Sequence, residues 1–300
     1  MNPQRTRPAR RRTLGALALA LVGLGSAACA PHPTTAEASA HLKPPALAAI
    51  AHVTSGNAAV ATLPLSSYQE SGDALTRDSQ AWRALALACM SRHGVNDLPA
   101  DFDPTVTNTS KASVGPFGFI DPEFGGSHGF ASMSQMNYPA SMPKLSPQAQ
   151  QLWTTTCAQE ADADYAKSVP ANNAGLVASL DDQATAVTGA DSPVLAATRQ
   201  WADCMKNKGF AQQSPDTVYK QKWPQDPDAA EIAIAEADAS CTESSKLADT
   251  WFAVLAGYQR QLVDANATQL SDIASHLKNH NSAVDAILTG NGGSGGHTGS

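Results

Sequence analysis

What this 300-residue chain lacks narrows it quickly. It has five cysteines but no Cys-x-x-Cys pair, and none sits at a predicted helix N-terminus beside a cation, so dithiol redox catalysis is not expected. Basic residues are outnumbered, 20 Lys and Arg against 27 Asp and Glu, and no basic stripe overrides that balance. Such a surface repels nucleic-acid phosphates and anionic lipid headgroups, so no nucleic-acid partner is expected. Long apolar runs are missing after residue 28, and no later segment can cross a bilayer as a helix. Nor is any acid/base pair set in an apolar pocket. Asp181-Asp182, Glu160 with Asp162 and Asp164, and Glu236 with Asp238 all lie in alanine-rich surroundings and read as solvated helix faces. With no catalytic constellation and no cofactor motif, the expectation is a protein that is not an enzyme and needs no cofactor.

The one long apolar run that is present sits at the front. Arg5, Arg7, Arg10, Arg11 and Arg12 precede residues 14–28, the layout of an export signal. Its end, Leu24-Gly25-Ser26-Ala27-Ala28-Cys29, resembles a bacterial lipobox, which implies Cys29 as the acylated first residue of the mature chain. The alternative, cleavage after Ala28-Cys29-Ala30 and release as a secreted protein, would place Pro31 just beyond the cut. Removing the signal takes away five arginines and no acid, so the net charge of −7 moves to −12. The chain then divides into a signal peptide (1–28), a flexible tether (29–45), a helical domain (46–290) and a Gly/Ser-rich disordered tail (291–300). Gly292-Gly293-Ser294-Gly295-Gly296 in that tail matches a nucleophile elbow in letters alone, since the elbow needs a strand before the serine and a helix after it and this composition predicts neither.

Within the domain the helix signals dominate, and two of the helices repeat each other. Trp82, Cys89-Met90 and Gly94 form one copy; Trp201, Cys204-Met205 and Gly209 form the other. Ser71 or Asp73 can cap the first helix, while Ser146-Pro147, Asp191-Ser192-Pro193 and Asp226-Pro227 open three more. Each copy is followed by one further cysteine, Cys157 and Cys241. With Cys29 reserved for lipid, four cysteines allow three pairings, and chain order together with the repeat favours Cys89–Cys157 and Cys204–Cys241. The fold class is therefore all-α: disulfide-stapled helical hairpins at about 71–168 and 191–250, then a long C-terminal helix at about 251–289. An unbroken helix over residues 227–288 would run about 90 Å, so breaks are expected near Gly257 and Asn279-His280-Asn281.

Residues 101–143 have another texture, rich in Gly, Pro, Phe and Met, and form a loop too long to be a mere connection. Phe117, Phe119, His128 and Phe130 make it the candidate binding loop, with packing over the helices as the plainer use. Asp272, His276 and His280, at i, i+4 and i+8, form the candidate metal set; no glutamate follows His276, so the metalloprotease pattern is absent. Met90 and Met205 read as core residues rather than soft metal ligands.

Several stretches taken together resemble a known family. Leu63-Pro64-Leu65-Ser66-Ser67-Tyr68 leading to Ala88-Cys89-Met90, Phe117-Gly118-Phe119-Ile120-Asp121, Trp201-Ala202-Asp203-Cys204-Met205, and residues 231–238 before Cys241 look like uncharacterised secreted lipoproteins of filamentous high-GC Gram-positive bacteria. The likeness continues through Trp251, Tyr258-Gln259 and Asn266. It implies an exported, helical, disulfide-bonded protein and brings no catalytic residues with it. The expected function is that of a lipid-anchored cell-envelope binding or accessory protein, its partners the membrane, through the lipid, and an envelope protein. The alternative is an extracytoplasmic enzyme whose site is assembled from residues distant in sequence.

Overall fold

Most of the capping signals in the sequence become helix ends in the folded chain. The structure, a computed structural model, describes residues 42–49, 52–55, 58–96, 98, 116–130, 145–171, 174–224 and 226–290. The expected signal peptide (1–28), Cys29 and the Gly/Ser-rich stretch 291–300 fall outside the described residues, as do 101–115 and 131–143 of the loop. In chain order the elements are β1 (His52–Ser55), β2 (Ala58–Ala61), a 3-10 turn (Pro64–Tyr68), α1 (Gly72–Arg92) and α2 (Pro122–His128). After them come α3 (Pro147–Leu152), a π-helical turn (Trp153–Cys157), α4 (Ala158–Ser168), α5 (Gly175–Ala190) and α6 (Ser192–Asn207). The chain finishes with α7 (Pro215–Tyr219), α8 (Ala229–Ser245), α9 (Leu247–Ala265) and α10 (Ala267–Leu288). The fold is all-α with disulfide staples, accompanied by one small antiparallel hairpin in which His52 pairs with Ala61 and Ser55 with Ala58.

Ser71 caps α1 by accepting from the Ala74 N–H at 3.1 Å, and Ser146 caps α3 by accepting from Ala149 at 3.2 Å. At α8 the cap is Asp228 rather than Asp226, because its carboxylate reaches the Glu231 N–H at 2.8 Å. The two Cys-Met helices end identically. Gly94 (φ 84°) and Gly209 (φ 93°) take the left-handed conformation, and the residue after each donates its N–H back to the methionine carbonyl, Val95 to Met90 at 3.0 Å and Phe210 to Met205 at 2.9 Å. The repeat thus encodes a cysteine for cross-linking, a buried methionine whose carbonyl closes the helix, and a glycine that permits the turn.

Breaks in the C-terminal helical region fall elsewhere than expected. Lys246 (φ 55°) separates α8 from α9 and Asn266 separates α9 from α10, whereas Gly257 and residues 279–281 are helical. Gly257 serves a different purpose: a Cβ there would stand 2.3 Å from Pro45 Cβ, so its bare face lets the incoming chain lie on α9. Gln261 completes that anchorage by accepting from the Lys43 N–H (3.0 Å) and donating to the Lys43 carbonyl (2.8 Å). Lys43 and Pro45, the last residues of the span expected as a tether, therefore contact α9.

Two cores result. The larger joins α5, α6, α8 and α9 around Trp201, Met205, Leu247 and Val254, and encloses Cys204–Cys241. The smaller lies between α1, α3, the π turn and α4, with Met90, Trp153 and the Cys89–Cys157 bridge at its centre. Both bridges have ordinary Cα separations, 5.4 Å and 5.6 Å. They close 68 and 37 residues of chain, and the loop-entropy account assigns each about 4 kcal/mol. A third apolar contact, Ala81, Val169, Val284 and Ile287, joins the smaller core to α10.

Candidate functional site

The aromatic residues of the candidate binding loop point inward. Phe117, Phe119 and Phe130 are buried in the larger core. Phe119 and Phe130 meet with ring centroids 4.7 Å apart, Phe130 stacks on Trp223 at 4.9 Å, and Phe117 packs on Phe252 at 5.2 Å. His128 closes α2, and its side chain lies outside what the structure describes. The segment 116–130 is a packing element rather than an exposed recognition loop, because the apolar area of three phenylalanines is more stable against α8 and α9 than in water.

Asp238 fastens this segment to α8. Its Oδ2 accepts from the Phe119 N–H and its Oδ1 from Trp201 Nε1, each at 2.9 Å, while Thr242 Oγ1 donates to the Phe117 carbonyl at 2.8 Å. A Cβ on Gly118 would stand 2.4 Å from Asp238 Oδ1, so only glycine lets the backbone approach this closely. Asp238 is therefore not the solvated acid its alanine-rich surroundings suggest. It is fully buried, and burial raises its pKa from 3.8 to about 7 against the opposing pull of the Phe119 and Trp201 N–H groups. Asp181 departs from the solvated reading as well: it accepts from Gln259 Nε2 at 2.7 Å, and burial holds its pKa above the usual carboxylate value.

The candidate metal set is divided between two environments. Asp272 and His276 are exposed, with His276 Nδ1 turned back to the Asp272 carbonyl at 2.8 Å. His280 is buried. Eight residues advance a helix by about 80° beyond two full turns, which rotates His280 off the Asp272 face and into the contact with α1. There Nε2 lies 3.0 Å from both Asp78 carboxylate oxygens and 2.9 Å from Glu70 Oε1, and Nδ1 lies 2.7 Å from the Pro170 carbonyl. Burial alone would lower the His280 pKa, but the Pro170 carbonyl, Asp78 and Glu70 outweigh it and the net shift is upward. Tyr165, from α4, faces the same carboxylates; burial first, then the Asp78 and Glu70 charges, raise its pKa.

Glu70 and Asp78 are absent from the sequence-derived candidates because nothing local marks them, one preceding the α1 cap and the other in the second turn of α1. For His280 there was a signal. The apolar stripe Ile273, Leu277, Val284 skips the inward position between Leu277 and Val284, and His280 fills it.

A second cluster, Cys89, His93 and Glu160, also brings donor types together, but Cys89 is bonded to Cys157 and has no thiolate to offer a metal. One open groove of about 430 Å³ runs beside the 3-10 turn, lined by Thr62, Leu63, Pro64, Ser66, Ser67 and Arg260, without a carboxylate or imidazole. Among the described residues no helix is long and apolar enough to cross a membrane. Comparison with known proteins returned no match to a protein-family model, a curated protein or a solved structure.

Proposed function

We propose that this chain is an exported cell-envelope protein, anchored to the outer face of the membrane through a lipid on Cys29, that works as a binding or accessory protein. The observation that carries the reading is the pair of disulfides, each cross-linking helices through a buried core. Such bridges persist in oxidising compartments outside the cytoplasm and are rare within it. The export-signal layout and the lipobox-like Leu24 to Cys29 supply the matching address. Partner contact is assigned to residues 101–115 and 131–143, which flank the aromatic segment that the core already uses.

Cell fractionation tests the anchor. The wild-type chain is expected in the membrane fraction, degraded by protease added to intact cells and labelled by a clickable palmitate analogue; Cys29→Ser is expected to lose the label. Label retained in Cys29→Ser, or a protected chain with free thiols, overturns the proposal. For the binding role, cross-linking on intact cells should capture an envelope partner that is lost when 131–143 is deleted. Removing the whole of 101–143 would instead take Phe117, Phe119 and Phe130 out of the core.

A further inference from the structure

Glu70, Asp78 and His280 are short of positive charge. Two carboxylates and one imidazole meet where α10 crosses α1, with the Glu70 and His280 side chains only 7% and 6% exposed. If Nδ1 donates its proton to the Pro170 carbonyl, as the 2.7 Å distance indicates, Nε2 turns toward three carboxylate oxygens. A lone pair there would face only negative charge. A single proton on Nε2 lies along the line to Asp78 and leaves Glu70 Oε1 buried without a hydrogen bond. The Tyr165 hydroxyl nearby is buried as well and faces Asp78, but it is neutral and adds no positive charge. Arg77, the residue before Asp78, turns away to Asp285 at 2.7 Å. The orphaned Glu70 Oε1 carries a desolvation cost that one divalent cation would remove.

We propose that Glu70, Asp78 and His280 bind one divalent transition-metal ion of the zinc class. The donor atoms all lie within 4.8 Å of one another. Two ligands at about 2.0–2.1 Å on a tetrahedral ion stand about 3.3 Å apart, so the observed 2.9–3.0 Å requires only slight spreading. One imidazole with two carboxylates suits zinc or manganese better than copper(I), which prefers thiolate and thioether. The Pro170 carbonyl on Nδ1 is the outer partner that fixes the tautomer and ring orientation of a metal-bound histidine. Asp78, 21% exposed, marks the side from which ion and water can enter, leaving a fourth position for water. Because α1 belongs to the smaller core and α10 packs against it, the ion would clamp the two parts of the molecule together.

Zinc titration of the oxidised, EDTA-stripped full chain by calorimetry tests the site. The wild type should take up one ion per chain. Asp78→Asn should weaken uptake about tenfold or more, His280→Gln should abolish it, and His276→Ala should leave it unchanged. No uptake by the wild type, or equal uptake by a folded His280→Gln, overturns the proposal and leaves His280 as an ion-pair partner only. If those variants do not fold, imidazole nitrogen NMR of the wild type decides. Zinc must displace the His280 Nε2 resonance, and movement confined to other histidines overturns the assignment.

Discussion

At Asp238, three parts of the chain meet on one carboxylate: α8 supplies it, the Trp201 indole of α6 bonds one oxygen, and the Phe119 amide bonds the other. Both oxygens act as acceptors, so an amide in the same place must turn its NH₂ toward an N–H. Asp238→Asn is expected to cost about 2–3 kcal/mol, the penalty of a buried donor left facing a donor. The same carboxyl gives a pH signature. Its folded pKa is raised from 3.8 to about 7, so folding takes up a proton between those values. Its contribution to stability is then fully present below about pH 3.9 and is lost as pH rises through about 7. Urea unfolding of wild type and Asp238→Asn from pH 4 to 8 should show the wild-type advantage shrinking with pH. A difference that is flat, or that grows, contradicts the assignment.

At the level of elements, the Cys-Met helices show which instructions were local. Caps, the glycine stops and the inward cysteines follow from residues a few positions apart, the cysteine pairing follows from chain order and the repeat, and Ser71, Ser146, Gly94 and Gly209 perform their expected roles. Because both glycines are left-handed and a Cβ at either meets nothing within 4 Å, alanine there tests conformation alone. Gly94→Ala and Gly209→Ala should each lower the unfolding free energy by about 1–2 kcal/mol, measured by denaturant titration with the disulfides intact. An unchanged midpoint would show that the stops are dispensable. Features that depended on distant partners were less legible. Gly257 reads locally as a break, yet it is the seat on which Pro45 packs, and the π turn at Trp153–Cys157 is only weakly written in the local sequence. Its one advance mark was Thr154-Thr155-Thr156, of which Thr154 and Thr155 bond back to the carbonyls of Gln150 and Gln151. The short hairpin had a mark as well, the dipeptide Gly56-Asn57 between Val53 and Val60, a residue combination that favours a tight turn. Glu70 and Asp78 had none, since their meaning comes from α10, about 200 residues away, through His280.

Over the whole molecule, the two cores differ in how they are supported. The larger gathers four long helices and the aromatic segment, whereas the smaller holds Ala86, Met90, Ala149, Trp153, Ala161 and one disulfide, little apolar mass for an independent unit. Its indole contact has the same design on a more exposed site, Trp82 Nε1 donating to Asp162 at 2.8 Å, where Trp201 donates to buried Asp238. The smaller part should therefore lean on its seam with α10. Three kinds of contact hold that seam: Ala81 with Val284 and Ile287, the Arg77–Asp285 pair, and the buried Glu70–Asp78–His280 cluster. The Arg77 and Asp285 side chains are 41% and 50% exposed, so their pair adds little. Val284 is 1% exposed among Ala81, Val169 and Ile287, and an aspartate in its place would bury an unpaired charge in that apolar contact. Val284→Asp is expected to loosen the seam selectively. In hydrogen-exchange mass spectrometry, peptides from α1 and α4 should lose protection while those from α6 and α9 keep theirs, because local opening follows the weakest contact. Both disulfides should survive, since neither crosses the seam. Uniform deprotection of α6 and α9 along with α1 would mean that the two cores unfold as one cooperative unit.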